Sequence, residues 1–478
     1  MTDGVRYTAS MLEFRWRCRD GAFLTAQPNG VALTRAGLPD ILLPLPPVLV
    51  EDALRLNHGT SEDALAATAE GDIGMTARTF RLKHQLQKAG LLVADLYGGS
   101  PPRRLAVMRP HSATFDPALP PARRTRQSNR WVLSRFAYLH REDSRLVLKC
   151  PEAPCDVELD DPDMVRWMYD ASVSVSPEPE SARAQVLSLL ADLGFVDDPD
   201  EEEPAARQIW EFQDRLFHFQ SQIHEDFKPY GGTYRFREGS GDEYVDRLPS
   251  PPAIHTPYDG DTIELPVPET ATSRPLLDVM ESRRSQREMG EVPVRLDQVA
   301  ALLYRVARVT RRMPHGPQAP QELLGRPYPS GGAIHELEFY LAVRVCQGLA
   351  AGFYHYRNDA HALTRLPGGN AEQAASAMTS QCAQSWGMND KPPQCVVAVT
   401  SRLPRLAWKY TAIAYRISLL NAGCVVQSLY LVATDIGLNG SAAGASRPGL
   451  FAQATGVSSW EETSIVEFGF GSRPLDAG

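Results

Sequence analysis

Apolar and polar residues alternate along Leu12-Glu-Phe-Arg-Trp-Arg-Cys18, the period of a half-buried strand. From Phe80 to Ala89 the spacing lengthens to that of an amphipathic helix, which Gly90 closes before the apolar run Leu91-Leu-Val. The same ending recurs further on. A strand-like Arg145-Leu-Val-Leu-Lys-Cys150 and a helical Met164–Tyr169 lead to Leu189-Leu-Ala-Asp-Leu-Gly-Phe-Val196, where Gly194 takes the place of Gly90. Two units of similar size, each finishing helix, glycine, apolar strand, predict a duplicated winged-helix-like module over residues 1–110 and 125–200, around a Pro/Arg/Ser-rich stretch from Pro101 to Arg130. Such modules grip a nucleic acid or a peptide strand, and the acidic run Asp197-Asp-Pro-Asp-Glu-Glu-Glu-Pro204 speaks for the peptide. A purely structural domain has the same pattern. Trp210 to Ile223 reads as an amphipathic helix and Phe227 to Pro268 as a loop, together a connector over 205–269. Residues 270–478 alternate helix and strand patterns and predict an α+β domain of their own.

Length agrees with this division, since 478 residues exceed what one hydrophobic core serves and favour two or three domains of roughly 100–200 residues. A hydrophobic fraction of 43% with 22% charged residues excludes wholesale disorder, a coiled coil and a collagen-like chain. The net charge of -9 argues against nucleic acid as the main partner, because phosphate binding needs a cationic surface. The most apolar stretch, around Leu419 to Ala433, is interrupted by Asn421, Gln427 and Ser428, so no membrane span is expected. No signal-peptide pattern opens the chain, which points to the cytoplasm. The seven cysteines are scattered, contain no CxxC and come closest at Cys150 and Cys155, so reduced thiols are expected.

Three strings carry candidate chemistry. In Met280-Glu-Ser-Arg-Arg-Ser-Gln-Arg-Glu-Met, Arg283, Arg284 and Arg287 can fork onto the oxygens of one phosphate, with the Ser285 hydroxyl as a further donor. A basic, solvated helix end has the same composition. In Arg326-Pro-Tyr-Pro-Ser-Gly-Gly-Ala-Ile-His-Glu, a Pro329-Ser330-Gly331-Gly332 loop runs into an alternating strand, and its glycines let the backbone approach a flat ligand. The plainer reading is a tight turn. Gly352-Phe-Tyr-His-Tyr reads as the next strand, followed by a hairpin to Leu366. In the third string, Trp408-Lys-Tyr opens a long apolar helix through Asn421-Ala-Gly-Cys-Val-Val-Gln to Ile436, apolar on nearly all faces and therefore buried. Lys409 at such a helix start meets the positive dipole end and desolvation, which both favour the neutral amine that acts as a general base. A lysine that snorkels to solvent is the alternative.

Taken together and in this order, the strings resemble the FMN-dependent nitroreductase superfamily, and within it the SagB-type azoline dehydrogenases of ribosomal peptide natural products. The resemblance covers about Thr270 to Pro474. It implies that Arg283, Arg284, Ser285 and Arg287 hold FMN through its phosphate, ribityl chain and ring edge, and that Pro329, Ser330, Gly331 and Gly332 lie against the flavin. Asn421-Ala-Gly with Gln427 matches the family's buried-helix motif, and the Gly437–Gly444 run, ending Ala443-Gly444, its loop facing the isoalloxazine ring. Lys409-Tyr410 matches the pair that azoline dehydrogenases carry and generic nitroreductases lack. Gly471-Ser-Arg473-Pro is shorter than the basic tail of many nitroreductases, which makes Arg473 the weakest of the phosphate candidates. Trp210 to Gln222 is similar to the helix before the family's oxidase domain, although its ending, Gln222-Ile-His-Glu-Asp226, departs from the pattern.

The implied reaction is oxidation of a peptide thiazoline or oxazoline to the azole, with Lys409 taking the α-proton, Tyr410 relaying a proton or orienting the ring, and reduced FMN returned by oxygen. The implied partners are a heterocyclised precursor peptide with its leader on the N-terminal modules, a cyclodehydratase and a second copy in a homodimer. Rival readings are a general NAD(P)H-dependent nitro- or quinone reductase, a thiazoline oxidase for carrier-bound nonribosomal intermediates, a non-catalytic peptide scaffold and a DNA-binding regulator.

Overall fold

The computed structural model describes residues 12–35, 38–69, 71–118, 130–172, 181–223, 229–240, 243–269, 273–316, 320–367 and 370–475. His224, Glu225 and Asp226 of the departing helix end, the N-terminal residues and Thr270 lie outside them. The chain divides into two compact units, Met1–Lys228 and Pro229–Gly478.

The first unit confirms the alternating strand and the recurring helix ending. β1 (Leu12–Cys18) pairs antiparallel with β2 (Leu92–Gly98), which turns into β3 (Arg103–Pro110). Before β2 runs α1 (Ile73–Lys88), started by the Asp72 side chain accepting from the Met75 amide. Its end is a left-handed Gly90 with a Leu91 N–H bond to the Leu86 carbonyl. The second half repeats this cap. After β4 (Tyr138–Glu142), β5 (Arg145–Lys149), β6 (Cys155–Leu159) and α2 (Pro162–Ser172), α3 (Ala182–Asp192) ends on a left-handed Gly194, and Phe195 N–H reaches back to the Leu190 carbonyl.

The halves do not close separately. β3 pairs with β6, so one six-stranded sheet of order β1-β2-β3-β6-β5-β4 crosses both, over a single core that includes Trp16, Leu96, Met108, Val157, Leu190 and Phe195. Each half leaves a strand edge whose unpaired backbone groups the other half satisfies. The amphipathic stretch at Trp210 forms α4 (Phe212–Gln220) inside this first unit rather than a connector.

The second unit is the expected α+β domain. It begins with short strands in place of a plain loop, β7 (Gly231–Gly232), a hairpin at 237–246 and β8 (Thr262–Glu264). Two helices follow, α5 (Leu276–Ser282) and α6 (Leu296–Ala307). Then come β9 (Leu337–Val343), β10 (Gly352–Arg357), β11 (Ala362–Arg365), α7 (Ala371–Ser385), β12 (Cys395–Ser401), α8 (Leu403–Lys409) and β13 (Tyr410–Thr411). The unit closes with α9 (Ala414–Asp435), β14 (Leu438–Ala443) and β15 (Thr463–Ser472). The seven-stranded antiparallel sheet has the order β8-β11-β10-β9-β12-β15-β14. Leu337, Phe339, Leu341 and Val343 of β9 pack on one face with Val299, Leu302, Val306 of α6 and Val425, Leu429 of α9. Tyr340 and Ala342, one residue out of phase, meet α7 through Ala375 and Met378 on the other.

Two expectations about the long helix change. Trp408-Lys409-Tyr410 does not open it: Lys409 closes the short α8, Tyr410 is extended, and α9 starts at Ala414. Lys409 therefore stands at the C-terminal end of a short helix and not at the start of a long one, so the positive dipole end is not beside it. Nor is α9 buried all round, because Tyr415, Leu419, Leu420, Gly423 and Gln427 are exposed. Despite its internal polar residues it is long and apolar enough to cross a membrane, yet it packs one face on this core.

Glu467 of β15 lies 1% exposed among the residues facing α7. Burial pushes its carboxyl up to about 7, opposed by the Gln381 side-chain amide. The folded chain thus binds the Glu467 proton more tightly than the unfolded one. The stability tied to that proton is complete below the ordinary value of 4.5 and is lost as pH climbs through about 7. Glu467→Gln is expected to gain on the wild type across that interval by on the order of 2–3 kcal/mol, read from denaturant unfolding at several pH values; a pH-independent difference between the two would refute the assignment.

Candidate functional site

A loop and a two-residue strand pair build the first half of the site. From Tyr328 the chain turns through Ser330 into a single helical turn at Gly331–Ala333, with left-handed backbone at Gly332 (φ 62°), Ala333 (φ 58°) and His335 (φ 48°). Strain of this kind persists only where surroundings enforce it, and it gathers at functional sites. Here the enforcing residue is Asn421 of α9. Its Oδ1 accepts from the Gly331 amide (3.2 Å), while its Nδ2 donates to Ser330 Oγ and to both Glu336 carboxylate oxygens (3.1 Å each). Ser330 Oγ also accepts from the His335 amide at 3.0 Å. Desolvation raises the carboxyl of the fully buried Glu336, against the hydrogen bonds that lower it.

Opposite this loop, β13 pairs with β7 through Gly232↔Tyr410 and Gly231↔Thr411. The Thr233 and Thr411 hydroxyls share a hydrogen bond of 2.6 Å, and the Tyr234 amide donates to the Lys409 carbonyl. Arg405, in α8 and fully buried, donates to the carbonyls of Pro251, Glu322 and Ile334 and so ties that helix to the loop. As a result Lys409 and Tyr410 converge. Lys409 Nζ stands 5.7 Å from the Tyr234 ring centre and 5.1 Å from that of Tyr410. A Cβ placed on Gly332 would lie 2.6 Å from Lys409 Nζ and 2.4 Å from the Tyr410 hydroxyl. The half-buried lysine therefore brings its amine beside two aromatic rings and the Gly332 backbone, and among the described residues it forms no ion pair with a carboxylate.

The second half lies further along α9, at Tyr430, nine residues and about 13 Å from Asn421. The Tyr430 hydroxyl accepts from the Ala442 amide (2.9 Å) and bonds Ser285 Oγ (3.1 Å), and the Arg283 guanidinium lies 5.2 Å from its ring centre. Burial works against ionisation of Tyr430, but the bonds to Ser285, Ser441 and Ala442 outweigh it and lower the phenol. Arg284, Gln286, Tyr430, Asn439, Gly440 and Arg473 line a cavity of about 530 Å³. Gln286 N–H binds the Gly440 carbonyl and Gly290 N–H the Ser472 carbonyl, which sets the Arg283–Arg287 string beside the strand that leads to Arg473. Gln394 staples the two: its Oε1 accepts from the Val294 and Ser472 amides, and its Nε2 donates to the Gly290 and Val292 carbonyls. Among the described residues none of Arg283, Arg284, Arg287 and Arg473 is paired with a carboxylate, so the cations are available to an anion.

Two clusters therefore hold most of the candidate residues. Lys409, Tyr410, Ser330, Gly331, Gly332 and Asn421 form one; Arg283, Arg284, Ser285 and Arg473 form the other, with Ala443 next to the Tyr430-bound Ala442. Arg473 lines the same cavity as Arg284 and is better placed than its short tail suggests. Pro329 and Gly444 are exposed beside their clusters, Gln427 is exposed on α9 between them, and Arg287 is exposed with no recorded side-chain contact among the described residues. Tyr234, Glu336, Arg405, Gln394 and Tyr430 were not singled out from sequence. Gly231-Gly232-Thr-Tyr234, inside a stretch read as loop, was the one available signal for a close backbone approach.

Comparison with known proteins agrees with the second unit. Residues 280–471 match the model of the nitroreductase family. Over 186 residues, 39% of this chain and 86% of the relative, the sequence is 27% identical to the "Putative nitroreductase MJ1384" of Methanocaldococcus jannaschii. These matches place a nitroreductase-like domain in the second unit. In the first unit, residues 131–225 match the model described as cyanobactin oxidase ThcOx. Among solved structures, the E. coli microcin synthetase McbBCD complex with truncated pro-MccB17 bound is similar at 20% identity, over 41% of this chain and 70% of that one, with a TM-score of 0.33. A "putative nitroreductase in complex with FMN" from Exiguobacterium sibiricum 255-15 is similar at 14% identity, over 44% of this chain and 93% of that one, with a TM-score of 0.30.

The space over Gly332 gives a direct check. Gly332→Ala puts a side chain on a left-handed backbone and pushes aside the ends of Lys409 and Tyr410, and is expected to lower stability by about 1–2 kcal/mol. At Gly232 a Cβ meets Lys409 Cε at an ordinary 3.7 Å, so Gly232→Ala serves as the mild control in the same thermal melts. Equal melting temperatures for the two variants would contradict the packing described.

Proposed function

We propose that the protein is an FMN-dependent dehydrogenase that oxidises thiazoline or oxazoline rings of a peptide to thiazoles or oxazoles. The observation that carries this reading is the convergence of Lys409 Nζ and the Tyr410 hydroxyl over the bare backbone of Gly332. The residues present fit FMN: arginines without a carboxylate partner among the described residues and the Ser285 hydroxyl suit a phosphate, and the Ser330–Gly332 backbone beside Lys409 and Tyr410 offers a loop edge for the ring. Arg283, Arg284, Ser285 and Arg473 would hold the phosphate end, and Ser330, Gly331 and Gly332 the ring. When bound, FMN supplies the two-electron acceptor for the oxidation.

The chain's own residues manage the proton and the geometry. Lys409, in its amine form, takes the acidic proton from the ring carbon that carries the peptide carbonyl. Tyr410, held extended by β7, presents its hydroxyl beside that amine to orient the ring or pass the proton on. The Tyr234 and Tyr410 rings keep water from one side of the amine, and Asn421 with Glu336 holds the loop that supports the reacting ring. A positioned base of this kind contributes about 10²–10⁴-fold.

The family match in the first unit supports a peptide substrate held there, with its leader segment on the sheet-rich unit and a cyclodehydratase as the partner that makes the ring. The surface of the second unit supports a homodimer. Tyr415, Leu419 and Leu420 of α9 and Leu276, Leu277 and Met280 of α5 are exposed apolar side chains on two helices that touch. A second copy placed there would bring an arginine cluster of one subunit toward the Lys409 cluster of the other, as the resemblance implies.

The test is incubation of the FMN-loaded protein with a heterocyclised peptide under air, followed by mass spectrometry. The wild type is expected to remove two hydrogens per ring. Lys409→Ala should stay yellow and lose at least about a hundredfold in rate; azole formation at the wild-type rate by that variant would remove Lys409 from the mechanism. A nitroreductase relative favours a second reading, a general NAD(P)H-dependent reductase. Rapid NAD(P)H consumption with a nitroarene, and none with an azoline, would establish that reading instead.

A further inference from the structure

Two of the seven cysteines meet, although 49 positions separate them. β9 and β12 pair with Val343 opposite Cys395, and beyond that pair the Arg344 and Val345 amides both donate to the Gln394 carbonyl (3.0 and 3.1 Å). This pins the segment that leaves β9 against the start of β12. Cys395 Sγ then contacts the Val345 carbonyl oxygen at 3.8 Å, at the peptide bond that precedes Cys346. Cys346 packs against the core cluster that includes Cys395, and its own Sγ donates to the Gln347 carbonyl at 3.6 Å. Both are reduced in the structure, Cys395 buried and Cys346 half-buried. The environments are unequal. The Cys395 thiol lowers that of Cys346 against the desolvation and the nearby Asp297 carboxylate that raise it, whereas burial holds Cys395 protonated, with Arg344 only partly offsetting.

We propose that Cys346 and Cys395 form a peroxide-responsive dithiol. Cys346 is the accessible nucleophile and Cys395 the resolving thiol. The Cys346 thiolate attacks one oxygen of hydrogen peroxide, breaks the O–O bond and becomes a sulfenic acid as hydroxide departs and takes up a proton to leave as water. The Cys395 sulfur then displaces the sulfenic oxygen as a second water, closing the disulfide. In sum, two thiols and one peroxide give one disulfide and two waters, with both sulfurs oxidised by one electron each and peroxide reduced by two. The placement of Cys395 Sγ against the peptide bond before Cys346 sets the two residues near enough for a bridge to be tested. The resulting bridge joins the ends of two central strands next to Gln394, the residue that staples the Arg283–Arg287 string to the strand before Arg473.

The test uses the full-length protein with its cofactor, treated with stoichiometric hydrogen peroxide, quenched with a maleimide and mapped by mass spectrometry without reductant. One cross-linked peptide pair, Cys346 to Cys395, is expected, with two fewer free thiols in denaturant and both recovered by dithiothreitol. Cys395→Ala is expected to stall at a Cys346 sulfenate captured by dimedone, a readout that a merely structural thiol would not give, provided a thermal melt shows that the variant folds. Cys346→Ser supplies a second variant at a half-exposed position and should abolish the cross-link, while Cys424→Ser should keep it. Cys346 oxidised to sulfinate in the wild type, linked to another cysteine or left unchanged would overturn the proposal. This reaction does not depend on azoline oxidation, so its failure leaves that reading standing.

Discussion

The arrangement depends on one steric constraint, the absence of a side chain at Gly332. Lys409 Nζ and the Tyr410 hydroxyl occupy the volume that a Cβ there would need, and the backbone beneath them is left-handed over several residues. Holding non-glycine residues such as Ala333 and His335 in that region costs free energy. Asn421, Ser330 and Glu336 offset it through a buried hydrogen-bond set in which every Asn421 side-chain group is engaged. On the facing side the two-residue ladder between Gly231–Gly232 and Tyr410–Thr411 fixes the pair's height and direction. Neither side alone places the amine.

Helix α9 gives the site its length scale. It is packed on the sheet through Val425, Leu429 and Ala433, so Asn421 and Tyr430 are fixed stations on a rigid rod. One station shapes the glycine loop, and the other gathers Ser285, Ala442 and Arg283. The anion-binding string and the glycine loop are thereby set at a distance that the helix determines. The exposed apolar side of the same helix means that the packing which fixes the site also leaves a surface for a partner subunit.

Much of this was legible in the chain. The alternation at Leu12–Cys18, the two glycine-terminated helices, the Pro329–Gly332 loop and the strand at Gly352 all appear where periodicity and turn chemistry put them, because each is a local signal. The errors share a different cause. Tyr410 to Ile413 interrupts the helical run without any glycine or proline, Ala412 taking the left-handed position instead, so Trp408-Lys-Tyr looked continuous with α9. What breaks the run is the pairing with Gly231–Gly232, 178 residues earlier at the level of Thr233 and Thr411, and no local pattern records such a partner. The shared sheet of the first unit escaped for the same reason, since its β3–β6 seam joins edges that each look complete alone. Gln394, Tyr430 and Arg405 act by bonding backbone groups from distant segments, a role that leaves no trace in composition.

The most direct test is anaerobic mixing of the FMN-loaded protein with an azoline-bearing peptide in a stopped-flow spectrometer, with no nicotinamide present. The account predicts that the peptide alone bleaches the flavin absorbance within the time of one turnover, and that Lys409→Ala keeps its colour. A flavin that stays oxidised with the peptide yet bleaches at once with NAD(P)H would contradict it.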